Sequence, residues 1–215
     1  MDNGEFQLKE NRSSNVSSST RPSSVLGEGL EDVDNAFFLE TGGNTALNYR
    51  QACSIESLSR LNPDLPVNVL FTGGKFDNRA ATYKALTRYK NTRFVAVDLS
   101  EYMTATPLEH WYHHTDWRTG PYHVSHLSDA LRFLTLYKYG GYYFDMDIIF
   151  VRKVIYYRNF VGTEDGKMIS PGAMHIDYEH PVMEQAIKEF PKKYRYVYYI
   201  IESYSLVYTY TMRIH

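Results

Sequence analysis

Leu127-Ser-Asp-Ala-Leu-Arg-Phe-Leu-Thr-Leu-Tyr-Lys-Tyr-Gly-Gly-Tyr-Tyr-Phe-Asp-Met-Asp147 is the stretch on which the reading of this 215-residue chain turns. It reads as a helix, a glycine turn and a strand. Leu127, Leu131 and Leu134 recur at one-turn spacing and mark a helix side that packs inward. Ser128 is the expected cap, since its hydroxyl can accept from the free N–H groups of the first turn. Asp129 and Arg132, three residues apart, are neighbours on the helix surface. Gly140-Gly141 ends the helix, because glycine takes positive φ at little cost. Tyr142 to Val151 then reads as a β-prone strand interrupted by Asp145 and Asp147. Residues two apart on a strand share a face, roughly 6–7 Å apart, and Tyr143 falls on the same face as both acids.

Two carboxylates on so apolar a strand are costly unless a cation compensates them. Mn²⁺ and Mg²⁺ prefer oxygen ligands and keep positions open for substrate phosphates. Asp145-x-Asp147 beside Arg132 therefore points to a metal–diphosphate site. The plain alternatives are two solvated acids at a strand end and, for Asp129 and Arg132, a surface salt bridge.

The segment Leu127–Val151 resembles the DXD-containing glycosyltransferases related to lactosylceramide 4-alpha-galactosyltransferase and alpha-1,4-N-acetylglucosaminyltransferase. Phe37-Phe-Leu-Glu-Thr41 is similar to the family's first strand and Ala52-Cys-Ser-Ile-Glu-Ser57 to the helix after it. Val97-Asp-Leu99, Thr106-Pro-Leu-Glu-His-Trp-Tyr112 and Met168-Ile-Ser-Pro-Gly-Ala173 follow in the family's order. The resemblance covers residues 35–194. It rests on the combination Ser-Asp-x-x-Arg…Gly-Gly-x-Tyr-x-Asp-x-Asp, since Asp-x-Asp alone is unspecific.

The resemblance implies a GT-A-like α/β nucleotide-sugar fold and a metal-dependent retaining hexosyltransferase. Such an enzyme moves galactose, N-acetylgalactosamine or N-acetylglucosamine in alpha-1,4 linkage from a UDP-sugar to a glycolipid or glycan acceptor. Asp145 and Asp147 would then hold Mn²⁺ or Mg²⁺. Asp129, Arg132 and Tyr143 would lie at the donor sugar and diphosphate, and Phe38, Glu40 and Thr41 are candidates for the uridine pocket. The family is lumenal at the Golgi membrane, with glycosphingolipid synthesis the favoured setting. No catalytic nucleophile is singled out, and both double displacement and front-face transfer stay open.

Composition agrees with a globular body: 43% hydrophobic and 15% aromatic residues, with a formal net charge of −2. No long basic run suggests nucleic acid as a partner. The single Cys53 says little about redox compartment. No apolar run approaches the roughly 20 residues needed to span a bilayer, and no signal-peptide pattern is visible.

Residues 1–34 are rich in Ser, Asn, Gly and Glu and are expected to be disordered. Their sequons at Asn11 and Asn15 matter only in a secretory lumen. From Ala36 onward strand and helix patterns alternate, with strands at Ala36–Leu39, Val67–Thr72 and Arg93–Leu99. Helices are expected around Ala52–Leu61 and Asn78–Tyr89. This alternation predicts a mainly parallel sheet covered by helices, with ligands beyond the carboxyl ends of its strands.

The cluster His110, Trp111, Tyr112, His113, His114, with His123 and His126, fits a metal poorly because it lies in a Pro- and Gly-containing stretch. Trp111, Tyr112 and Trp117 are better read as an aromatic platform for an acceptor sugar. Asp177, Glu179 and His180 form a turn before a helix at Pro181–Phe190 and receive no chemistry. Residues 195–215 depart from the family; seven of the last 22 residues are Tyr. A truncated or aberrant C-terminal end is expected there, leaving the catalytic domain incomplete on that side. Two rival readings follow. One is a non-catalytic fragment that binds nucleotide-sugar weakly or not at all. The other is an Asp-x-Asp phosphohydrolase with Asp145 as nucleophile, although Ile149 stands where that class wants Thr or Val.

Overall fold

The computed structural model describes residues 34–163 and 169–194. The expectations placed on the N-terminal segment, its sequons and the Tyr-rich end lie outside the described residues, except at Asp34. That residue is tied into the fold by Arg158, 2.6 Å away, and by His175, 3.3 Å away.

The centre of the molecule is β1 (Ala36–Glu40), whose five residues are all buried. It runs parallel to β2 (Val67–Phe71) on one side and β4 (Gly141–Phe144) on the other. A third strand, β3 (Thr92–Ala96), continues the parallel set beyond β2. On the far side β6 (Ile169–Ile176) pairs antiparallel with β4, and β5 (Phe160–Thr163) pairs antiparallel with β6. The order is β3-β2-β1-β4-β6-β5. The parallel half is the one the alternation predicts; the antiparallel half, with β5 at its edge, was not read from the sequence.

Helices cover both faces. Helix α1 (Tyr49–Leu61) starts at a capping box in which Asn48 and Gln51 exchange two 2.9 Å hydrogen bonds. It closes at Asn62, whose amide returns to the Leu58 carbonyl at 2.9 Å, ahead of Pro63. Short helices α2 (Ala81–Leu86), α3 (Leu99–Met103) and α4 (Glu109–His114) follow, then a 3₁₀ turn at Trp117–Thr119. The long helices α5 (His123–Tyr139) and α6 (Pro181–Lys193) complete the set.

Strand alternation sorts the side chains into two cores. Ala36, Phe38, Tyr142 and Phe144 pack with α1 residues Ile55 and Leu58. Phe37, Leu39 and Tyr143 pack with α5 and α6 through Leu131, Leu134, Ile187 and Phe190. Each such buried side chain is worth roughly 1.5–3 kcal/mol relative to exposure, so the sheet position of α5 is set by its apolar side.

Two sequence expectations are corrected here. Helix α5 begins at His123, so Ser128 lies within it and does not cap it. The turn at Gly120-Pro121 starts the helix earlier: the His123 N–H reaches the Gly120 carbonyl at 3.3 Å. The Ser128 hydroxyl instead meets Arg132 at 3.3 Å.

The strand after Gly140-Gly141 stops at Phe144 and does not run to Val151. Its neighbour β6 pairs with it only as far as Ala173; the next residues are Gly172 and Pro171, and proline cannot donate to a ladder. One last bond, from the Asp145 N–H to the Gly172 carbonyl at 2.7 Å, closes the register, and the chain turns away.

Gly140 and Gly141 have φ of 64° and 87°. A side chain on either would also strike backbone, Tyr178 in one case and Asn35 in the other, which is why two glycines stand between helix and strand.

Candidate active site

The carboxyl ends of β1 and β4 open onto a crevice of about 460 Å³. Glu40, Thr41, Ser128, Tyr143, Asp145 and Asp147 are among its lining residues. Its position agrees with the expectation for parallel sheets.

Helix α5 supplies the cation. Arg132 Nη2 lies 3.2 Å from Asp129 Oδ1 and 3.4 Å from Asp145 Oδ1. Both Asp129 and Arg132 are buried, which replaces the surface pair expected from their spacing. The guanidinium also stacks over the Tyr143 ring, 5.0 Å from its centroid. One permanently charged group thus faces two carboxylates, and a buried ion set of this kind persists only with such hydrogen-bonding partners.

Tyr143 is fully within the core on the α5 face, and its hydroxyl donates to Asp145 Oδ1 at 2.6 Å. Burial, with the neighbouring Asp145 carboxylate adding to it, pushes the phenol well above its ordinary pKa despite the opposing pull of Arg132. It is therefore a protonated donor that orients Asp145.

The two acids of the motif differ. Asp145 is half-buried and held by Tyr143 and Arg132; Asp147 is exposed in the turn beyond the strand. They do not share a strand face, because the strand ends before either. Likewise Ile149 and Val151 are exposed and do not belong to a buried strand.

The donor set fits a hard divalent cation: two carboxylates opening on a polar crevice with room for phosphate oxygens. Among the described residues no group of three His, Cys, Asp or Glu side chains gathers at one point. A cation here would therefore take its remaining ligands from substrate and water.

The β1 residues divide. Glu40 is buried, and its Oε1 accepts from the Gly42 N–H at 3.2 Å and from Asn44 Nδ2 at 2.8 Å. These bonds shape the turn that carries Thr41 into the crevice. Glu40 Oε2 has no hydrogen-bond partner among the described residues. Phe38 is fully buried on the α1 face, 6.2 Å from the Phe144 ring centroid. Its burial in the core, two residues short of the strand's carboxyl end, removes it from the nucleotide candidates.

The aromatic platform is also corrected. Trp111, Tyr112 and Trp117 are all buried in the α5–α6 core, with Trp111 and Trp117 stacked at 5.3 Å and Phe190 against the Trp111 edge. Arg118 covers the Tyr112 and Trp117 rings at 4.3 and 4.4 Å. They are core, and no sugar can stack on them as they stand. The histidines do not converge: His110, His113 and His114 are exposed on α4, whereas His126 is buried on α5 beside Tyr194.

Three features were not foreseen. Ser128 is a hydrogen-bond partner of Arg132, Arg50 of α1 reaches the crevice, and Gly172 sits against the Asp145 carboxylate. Of these, Ser128 had been read only as a helix cap, Gly172 lay in a family-like block with no assigned role, and Arg50 lay in no stretch singled out from sequence.

Comparison with known proteins agrees with this geometry. Residues 48–166 match the family described as the glycosyltransferase sugar-binding region containing the DXD motif. Human lactosylceramide 4-alpha-galactosyltransferase is 32% identical over 164 residues, covering 74% of this chain and 46% of that protein. Human alpha-1,4-N-acetylglucosaminyltransferase is 29% identical over 184 residues, covering 80% and 54%. The chain thus spans about half the length of these relatives.

Among solved structures, PaToxG glycosyltransferase superposes with a TM-score of 0.59 at 14% identity, covering 85% of this chain and 70% of its own. A mutant transferase gives 0.52 at 18%, covering 83% and 84%. These likenesses establish the GT-A-like fold. The Asp-x-Asp phosphohydrolase reading loses its footing, and this chain belongs to the family of glycosyltransferases whose sugar-binding region contains the DXD motif.

Proposed function

We propose that the crevice binds a UDP-sugar and a divalent cation, Mn²⁺ or Mg²⁺, for retaining transfer of a hexose to a glycolipid or glycan. The observation that carries this reading is the cluster Asp129–Arg132–Asp145, braced by Tyr143, at the carboxyl end of a parallel strand. Asp145 and Asp147 would hold the cation, which would offset charge on the departing diphosphate. Arg132, always charged, would meet diphosphate or donor-sugar oxygens, and Asp129 fixes its orientation. Tyr143, which lines the crevice, would act at the donor side chiefly by orienting Asp145. Thr41 and the Glu40 turn form the nucleotide side.

The names of the relatives support galactose or N-acetylglucosamine as donor sugars and an alpha-1,4 linkage; N-acetylgalactosamine completes the set. A glycolipid acceptor fits the galactosyltransferase relatives. The family resemblance supports a setting at the lumenal side of the Golgi membrane. No helix among the described residues is long and apolar enough to cross a membrane.

The test is calorimetric titration of UDP into the full chain with and without Mn²⁺, beside the Asp145→Ala/Asp147→Ala variant. Mn²⁺-dependent UDP binding that disappears in the variant is the expected result. A folded protein that binds no UDP would favour the non-catalytic alternative.

A further inference from the structure

We infer that residues 149–157, the strap that leaves the Asp145–Asp147 turn, form a docking surface for an anionic phospholipid bilayer. The strap is held from beneath at two points. Ser57 Oγ of α1 accepts from the Phe150 N–H at 3.0 Å, and Asn62 Oδ1 accepts from the Val154 N–H at 3.0 Å. The Phe150 ring is buried edge-on against Phe144, 4.7 Å between centroids. Between and beyond these anchors the side chains point outward. Val151 is 82% exposed, Tyr156 74%, Tyr157 61% and Ile149 54%.

Ile155 is also exposed, so five of the nine large exposed apolar side chains among the described residues fall in this one strap. A protein that leaves so many large apolar groups in water along one rigidly anchored segment has an interaction there to make.

Charge identifies the occupant. No Asp or Glu occurs from Ile148 to Thr163, although the whole chain carries two more acids than bases. Arg152 and Lys153 are exposed and have no ion pair among the described residues, in contrast to Arg158, which Asp34 and Asp177 hold at 2.6 Å each. Aliphatic side chains flanked by tyrosines and unpaired cations match the boundary layer of a membrane. There aromatic rings sit at headgroup depth, and each Lys or Arg near an anionic surface adds about 1 kcal/mol. A protein-binding patch built to the same exposure would be expected to carry fewer unpaired cations at its centre. Docked this way, the molecule holds its crevice beside the bilayer, because the strap begins two residues after Asp147. The inference depends neither on the transferase reading nor on the lumenal setting proposed with it; what it requires is an anionic leaflet.

Vesicle co-sedimentation of the full chain tests it. Phosphatidylcholine vesicles are compared with vesicles containing about one third phosphatidylserine, at low and physiological salt. Binding to the anionic vesicles is expected, weakened by salt. The Arg152→Glu/Lys153→Glu variant should lower the partition coefficient tenfold or more, and Val151→Asp/Tyr156→Ser should abolish binding. Unchanged circular dichroism and thermal unfolding show that these exposed substitutions leave the fold intact.

Equal binding by wild type and both variants would overturn the inference and assign membrane affinity to another segment. Absence of vesicle binding would overturn it too. If the variants then changed the sedimentation velocity, or the protease sensitivity of residues 1–33, the strap's occupant would be a second copy or the chain's own acidic N-terminal segment.

Discussion

The Tyr143 hydroxyl donates a hydrogen bond to Asp145 Oδ1 at 2.6 Å from an almost completely buried side chain. The bond crosses from the last turns of the strand to the first residue beyond it, so the rigid sheet reaches one residue into an otherwise irregular segment. Replacement by Phe removes the donor and keeps the ring beneath Arg132. A hydrogen bond to a charged group contributes roughly 1.5–3 kcal/mol. Tyr143→Phe should therefore weaken Mn²⁺-dependent UDP binding about tenfold and shift the unfolding midpoint little. Isothermal titration and urea unfolding of the same preparation separate the two effects. A large loss of stability with intact binding would make Tyr143 a core residue alone.

Arg132 and Asp147 should behave in opposite ways. Arg132→Met leaves Asp129 buried without the guanidinium now 3.2 Å away, and breaking a buried pair typically costs about 3–5 kcal/mol. Asp147 is exposed in a turn, so Asp147→Asn should change stability by less than about 0.5 kcal/mol. Both should lose cation-dependent UDP binding. Urea denaturation checks the first contrast and titration the second. Equal stability of the two variants would mean that the Asp129–Arg132 pair contributes nothing to the fold.

These contrasts show where sequence patterns carry information. The spacing Asp-x-x-Arg and the pair Gly140-Gly141 place a helix, a turn and a strand correctly because each rests on local backbone geometry. The extent of that strand is not local. Ile148 to Val151 have strand-forming side chains, yet the ladder ends because the neighbouring strand presents Pro171, and that partner lies far along the chain. Phe38 was misread for a similar reason: it shares its strand face with Glu40, but it sits two residues short of the strand's end, where Phe144 and α1 cover it, and those partners are distant in sequence. Trp111, Tyr112 and Trp117 looked like a sugar platform from composition. Their burial depends on α6 residue Phe190, about 80 residues away.

Acid should loosen the opposite end of the sheet before it affects the crevice. His175 is fully buried, and its Nδ1 accepts from the Asn159 N–H at 3.0 Å, so its proton sits on Nε2, facing Asp34 Oδ1 at 3.3 Å. Burial lowers its pKa below the ordinary value, with Asp34 opposing, Arg158 assisting and Asp177 also opposing; the Tyr142 ring packs edge-on at 4.3 Å. The unfolded chain, with a pKa near the ordinary value of about 6.5, then binds the proton first on acidification. Stability contributed by neutral His175 is full above that value and is lost as pH falls through it. Thermal unfolding between about pH 7.5 and 5 should show a falling midpoint, and His175→Gln should flatten that slope. A midpoint that rises on acidification would show instead a charged His175 paired with Asp34.

Gly172→Ala tests the geometry of the candidate site without touching any side chain in it. A Cβ at this position would stand 2.7 Å from Asp145 Oδ2, closer than carbon and oxygen tolerate. The backbone there has no unusual φ, and the atom in the way is the end of a side chain, so the strand can keep its place. Relief must come from rotation of the Asp145 carboxylate, which breaks its alignment with Tyr143 and Arg132. Overpacking that is relieved by one side chain costs about 1 kcal/mol. Gly172→Ala should thus fold almost as stably as wild type, yet lose Mn²⁺-dependent UDP binding nearly as completely as Asp145→Ala. Gly140→Ala provides the contrast: its Cβ would meet the Tyr178 backbone at 2.5 Å with φ at 64°, so that variant should fail in stability first. A Gly172→Ala protein that binds UDP and Mn²⁺ as well as wild type would mean that Asp145 does not act from the position seen here.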